Sequence, residues 1–196
     1  CHRMAERFAR GGRLVAFGHS PAARSDVRHI AVEFVHPVIV GKRALPAIGL
    51  AAEGGPLAPQ VALIAQPHDI AIAFGVDQDG GECAEALAVA RARGCLTIAF
   101  ADADAEYAFM PPSADPSVRQ ELVETLYHVL WELVHVFLDH RETSAVGAGA
   151  AGFLYPFLAA GTADLDAVRG VVRRSIGAEA EEIAACCEAL QARGAA

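Results

Sequence analysis

The chain has almost no lysine. Of its 16 basic residues one is lysine, Lys42, and the other fifteen are arginines scattered along 196 residues whose net charge is −8. No basic block is present to follow a phosphate backbone, so nucleic acid is not expected as a direct ligand. Long apolar runs are missing as well. No uninterrupted stretch reaches the roughly 18 residues of a membrane span, and the first residues, with Arg3, Glu6, Arg7 and Arg10, hold no signal-peptide core. A cytoplasmic protein without a membrane partner is expected. Paired cysteines are the third absence: Cys1, Cys83, Cys95, Cys186 and Cys187 form no CxxC motif and no even framework. That excludes a thiolate zinc site and predicts reduced thiols, with Cys83 and Cys95 acting as small buried hydrophobes.

What the chain does have is apolar content, 54% hydrophobic residues, enough to bury one full core with appendages. Short apolar runs alternate with amphipathic segments, the pattern of an α/β domain with a parallel sheet. The runs are 13–18 (RLVAFG), 44–50 (ALPAIGL), 69–74 (DIAIAF) and 96–101 (LTIAFA), and their continuous hydrophobicity suits strands covered on both faces. A short fifth strand is expected over 107–110, stopped by Pro111 and Pro112. Helices are predicted at about 25–36, 82–93 and 117–140, each after turn or capping residues. In the last of these, Leu122, Val123, Leu126, Val129, Leu130, Leu133, Val134 and Phe137 form a broad apolar stripe. Gln120, Glu124, His128, Trp131 and His135 line a second face, and its tryptophan predicts that this face is covered too.

The best clue to function is a quartet: His29 and Glu33 four residues apart, then Gln120 and His128 eight apart. Four residues is about one helical turn and eight about two, so each pair projects from one helical face. Two helices can therefore aim four metal-capable or proton-transferring groups at one point. Imidazole nitrogen, carboxylate oxygen and an amide carbonyl oxygen are ordinary ligands for a divalent ion such as zinc, and such an ion acidifies a proton beside a carbonyl. Two plainer readings of the same residues stay open: an i,i+4 surface contact for His29 and Glu33, or a buried polar network whose members satisfy one another without a metal.

The stretch GGRLVAFGHSPAARSDVRHIAVEF resembles the glycine-rich strand–turn–helix and His-x-x-x-Glu of the sugar isomerase (SIS) domain family, in particular its sedoheptulose-7-phosphate (phosphoheptose) isomerases. PPSADPSVRQELVETLYHVLWELVHVFL resembles the closing helix of that family, where glutamine precedes histidine by eight. The resemblance spans about residues 5–140. It implies a three-layer αβα domain with a central parallel sheet of about five strands. It also implies a divalent metal, usually zinc, held by His29, Glu33, Gln120 and His128. By the same resemblance Glu33 and His128 serve as base and acid in the aldose–ketose isomerisation of a sugar phosphate through an ene-diol.

The departures are as informative. Where the family has a Ser/Thr-rich phosphate loop after its third strand, this chain reads Gly75, Val76, Asp77, Gln78, Asp79, Gly80. Three hydroxyl donors are replaced and two carboxylates added, which weakens any grip on a phosphate dianion. The first loop reads Gly18, His19, Ser20, Pro21, with Ser20 and Asp26 as remnants of substrate contacts or, more plainly, as a turn former and a helix cap. His19 is either a loop histidine or a replacement ligand.

The organisation expected is a domain over 1–141, a Gly/Ala-rich linker over 142–163 and an amphipathic helix over 164–193 that resembles the family's N-terminal helix. That arrangement fits a circular permutation, or the start of a second unit in a tandem protein. A helix with so long an apolar face predicts a homo-oligomer, dimer or tetramer, or pairing with a second SIS unit. Two functions follow: an isomerase of a sugar-phosphate-type ligand, or a catalytically degenerate SIS module that senses a sugar phosphate or binds a protein partner.

Overall fold

A computed structural model describes residues 1–37, 41–75 and 81–143, together with separate positions between 166 and 185. The chain forms two compact units, Cys1–Asp139 and His140–Ala196. The loop over 76–80, the linker and most of the 164–193 helix lie outside the described residues. No helix among the described residues is long and apolar enough to cross a membrane.

The first unit is a parallel sheet covered on both faces. Its strands are β1 (Leu14–Phe17), β2 (Ala47–Leu50), β3 (Ile70–Ala73), β4 (Leu96–Ala99) and β5 (Tyr107–Ala108), in the order β2-β1-β3-β4-β5, all parallel. Every residue of β1, β3 and β4 is buried, whereas β2 is half-buried and β5 exposed. Continuous apolar runs therefore mark the inner strands, and weaker runs mark the edges.

The intervening helices are α1 (His2–Ala9), α2 (Pro21–Val35), α3 (Leu57–Ile64), α4 (Glu82–Ala92) and α5 (Pro116–Thr143). Alternate strand residues Val15, Phe17, Ala71, Ala73 and Ala99 pack with Leu57 and Val61 of α3 and with Cys83, Ala86, Leu87 and Ala90 of α4. Leu14, Ala16, Ile70 and Ile72 are buried too, and by strand alternation they face the opposite layer. In that layer Phe8 of α1 stacks on Phe34 of α2, and Phe74 meets Tyr127 of α5 edge-on. At the N-terminal ends of β1 and β3 the buried Asp69 carboxylate accepts bonds from the Arg13 guanidinium, at 2.7 Å, and from the backbone N–H groups of Arg13 and Gln66.

Two helices, α1 and α3, appear where the sequence analysis expected none, and α2 begins earlier than the predicted residue 25. Ser20, extended at φ −61° and ψ 156°, caps α2 by accepting from Ala23 N–H, and Pro21 takes the first turn. Asp26 is therefore not a cap; it sits inside the helix, buried. The face of α5 also differs from the expected stripe. Tyr127, Trp131, Val134, His135 and Leu138 are buried, while Leu122, Leu126, Val129, Leu130 and Leu133 are half-buried. Val123 and Phe137 of that stripe are buried along with Val134, so both faces of α5 contribute to the core, and the face carrying Trp131 is covered too, as its tryptophan predicts. His135 sits in that face with its two ring nitrogens each 2.8 Å from a carbonyl, those of Trp131 and Arg43, and a neutral ring donates to one of the two. Cys83 and Cys95 are buried thiols outside any disulfide, as expected.

Candidate active site

The sheet order reverses between β1 and β3, and parallel αβα domains bind ligands in the crevice outside the strand ends at such a point. A pocket lies there, lined by Ser20, Asp26, Phe74, Gly75, Arg119 and Gln120. Glycine is required at its rim. A Cβ on Gly18 would lie 2.7 Å from Ala23 Cβ and 3.1 Å from Phe74 O, and Gly75 adopts a left-handed φ of 64° against the Ser20 side chain. The first loop and the end of β3 thus approach closely enough to bring α2 and α5 over the same strand ends.

One turn further along α2 and two turns further along α5, the side chains of His29, Glu33 and His128 converge. Their ligand atoms all lie within 4.8 Å of one another. His29 Nε2 is 3.6 Å and His128 Nε2 3.8 Å from the same oxygen, Glu33 Oε1. The two rings meet edge to face with centroids 5.0 Å apart. These separations are too long for hydrogen bonds. They are close to the spacing of neighbouring ligands around an ion held at ~2.0–2.1 Å, on the order of 3.4 Å for a tetrahedral site. The Glu33 side chain is 14% exposed, and the imidazoles are 39% and 40% exposed. The carboxylate is thus sheltered while the histidines border solvent, and the donor set fits a divalent cation.

A ring of acceptors and hydroxyls surrounds the cluster. His29 Nδ1 is 2.9 Å from the Tyr127 hydroxyl and 3.2 Å from Glu124 Oε1, and His128 Nδ1 is 2.8 Å from the Glu124 carbonyl. Tyr127 is wholly buried; burial first, then the neighbouring Asp26, Glu124 and Glu33, push its phenol far above the ordinary range, so it keeps its proton.

Gln120 donates to the Asp26 carboxyl. Of the four expected ligands the structure therefore gathers three and gives Gln120 a contact with Asp26. Ser20 and Asp26 both line the pocket, Ser20 while capping α2. His19 lies apart from the cluster: its Nδ1 pairs with Glu82 at 2.8 Å. Glu124 and Tyr127 were not picked out by the sequence analysis as site residues. The available signal was that Glu124 falls midway between Gln120 and His128 on the same helix face.

Asp26 carries the clearest pH signature. Burial raises its pKa from 3.8 to about 7, against the hydrogen bond from Gln120, with the charge of Glu124 adding to the rise. The folded protein holds this proton more tightly than the unfolded chain does. Stability from it is complete below about pH 4 and is lost progressively as pH rises to about 7. Asp26→Asn is expected to flatten the pH dependence of stability between pH 4 and 8 by roughly 2 kcal/mol, as measured by urea unfolding. A slope equal to that of the wild type would show that Asp26 titrates normally.

Parallel topology, a switch-point crevice and a His–Glu–His cluster together define an αβα domain with a candidate metal site beside its crevice. No family model matches the chain. A phosphoheptose isomerase from Thermodesulfovibrio yellowstonii is 32% identical over 155 residues, 69% of this chain and 77% of that protein. One from Solidesulfovibrio magneticus is 29% identical over 154 residues, 69% of this chain and 75% of that one. The solved structure of a phosphoheptose isomerase from Francisella tularensis has the same fold, with a TM-score of 0.60 at 18% identity over 68% of this chain and 81% of that one. The Neisseria gonorrhoeae phosphoheptose isomerase structure gives 0.57 at 17% identity, over 67% and 80%. The chain belongs to the phosphoheptose isomerase family.

Proposed function

We propose that this protein is an aldose–ketose isomerase of a sugar phosphate, sedoheptulose 7-phosphate first among the candidates, and that the His29, Glu33 and His128 cluster binds a divalent metal, zinc by preference. The convergence of two imidazole nitrogens and one sheltered carboxylate oxygen within 4.8 Å carries this reading. His29, Glu33 and His128 would hold the ion, and Gln120, whose amide nitrogen donates to Asp26, would add its amide oxygen as a fourth ligand, as the family resemblance implies. When bound, the ion supplies positive charge that lowers the acidity barrier of a carbon beside a carbonyl.

The chain's own groups do the rest. Glu33 takes a proton from C1 of the ketose and His128 Nε2 serves the return to C2, while a hydroxyl proton passes from O1 to O2. The carbonyl thereby moves from C2 to C1 with no net change in electrons, through an ene-diol. One nitrogen cannot bond a metal and donate a proton at the same moment, so the two roles of His128 belong to different stages of the cycle. The homologous enzymes act on a phosphoheptose by name. A homo-oligomer, with the 164–193 helix in the interface, is part of the proposal.

The competing reading is a degenerate module that binds a sugar phosphate without turnover, favoured by Asp77 and Asp79 in place of hydroxyl donors. Isomerisation in deuterated water separates the two. The enzyme reading predicts product carrying solvent deuterium at the carbon that receives the proton; binding without product or exchange would establish the other.

A further inference from the structure

We propose that Glu124 is the positioning residue that fixes the ligating tautomer of both site histidines, its side chain acting on His29 and its backbone on His128. A neutral imidazole has one N–H and one lone pair, and the partner of one nitrogen decides what the other can do. His128 Nδ1 lies 2.8 Å from the Glu124 carbonyl, an oxygen that only accepts. The hydrogen of that ring therefore sits on Nδ1, and the Nε2 lone pair faces Glu33. His29 Nδ1 lies 3.2 Å from the Glu124 carboxylate, which also only accepts.

The Tyr127 hydroxyl, 2.9 Å from the same nitrogen, offers the competing arrangement, in which it donates to Nδ1. That arrangement would set a carboxylate against an imidazole lone pair at 3.2 Å, the shorter of the two carboxylate contacts, and would put the hydrogen on Nε2, the nitrogen that must be bare to bind a cation. With the hydrogen on Nδ1, two acceptor oxygens lie within reach of it, Tyr127 at 2.9 Å and Glu124 Oε1 at 3.2 Å. Nε2 is then bare on both rings, the state a metal ligand requires. Carboxylates that hold the outer nitrogen of a ligating histidine in this way raise the basicity of the ring and lock its orientation. One residue, a full turn before His128 and across from His29, does this for both rings.

The inference rests on the metal-binding reading for its purpose, but its geometry is testable on metal-free protein. Long-range proton–nitrogen spectra of the histidines, recorded well above the ordinary imidazole pKa, report which nitrogen carries the hydrogen. In the wild type, His29 and His128 are expected to carry it on Nδ1. In Glu124→Ala, His29 is expected to shift to Nε2–H while His128, held by the backbone carbonyl, keeps Nδ1–H and so reports an intact fold. Glu124→Gln, which retains an acceptor oxygen, is expected to restore the Nδ1–H form of His29 in part.

Zinc affinity, read by competition with a chromophoric chelator, is expected to fall about 10- to 100-fold in Glu124→Ala. An Nε2–H form of His29 in the wild type, the same tautomer in the variant, or an unchanged zinc affinity would each overturn the proposal. A wild-type protein that binds no zinc would instead overturn the metal reading under Proposed function, and the spectra alone would then decide the role of Glu124.

Discussion

Glu33→Gln is expected to lower kcat/KM for sugar-phosphate isomerisation by about 10²- to 10⁴-fold, the usual contribution of a positioned general base, while the protein stays folded. Glu33 is sheltered, its side chain 14% exposed, but the substitution is nearly isosteric and leaves its packing in place, so the loss belongs to chemistry. It removes the one anion that both imidazoles face, at 3.6 and 3.8 Å, and it removes the group placed to accept a carbon-bound proton. Glutamine can still offer an oxygen to a cation, though a weaker one. Activity is therefore expected to fall much further than zinc content, and this split separates a base from a mere ligand. Steady-state assays beside elemental analysis of the same preparations measure it; a variant that retains wild-type turnover would remove Glu33 from the mechanism.

The second large effect is metal loss. His29→Ala and His128→Ala each delete one of three convergent ligand atoms. Loss of a ligand costs more than the 10- to 100-fold in affinity that follows from losing an outer partner. Both variants are expected to purify without stoichiometric zinc and with little turnover. His19→Ala is the control, because His19 pairs with Glu82 at 2.8 Å outside the cluster and should leave the metal in place. Equal zinc in wild type, His29→Ala and His128→Ala would place the ion somewhere else in the protein.

Much of this arrangement was legible in the sequence, for reasons that can be named. Continuous runs such as IAIA and LTIA have few ways to be buried other than as inner strands of a parallel sheet, and β3 and β4 are buried along their whole length. His29 and Glu33 share a helix face by spacing alone, and the structure brings His128 of a distant helix to them.

What escaped was set by features that periodicity does not encode. α3 follows Pro56 and contains Pro59, and its eight residues are too short to show a stripe, so only burial of Leu57 and Val61 against the sheet marks it. The start of α2 was misplaced because Ser20-Pro21 reads equally well as a turn, and the cap became visible only through the bond from Ala23 N–H. In α5 the leucine stripe outnumbered the aromatic face, yet Tyr127 and Trp131 are the residues turned inward. That rotation carries Tyr127 to His29, a contact between residues 98 apart in the chain that no local pattern specifies.

The measurement that bears most directly on the central claim is the rate of sedoheptulose 7-phosphate isomerisation by metal-free protein titrated with zinc. The account predicts no turnover without metal, then a rate that rises with added zinc and saturates at one ion per site. Turnover that is already complete in the chelated protein, or no product at any zinc concentration, would contradict it.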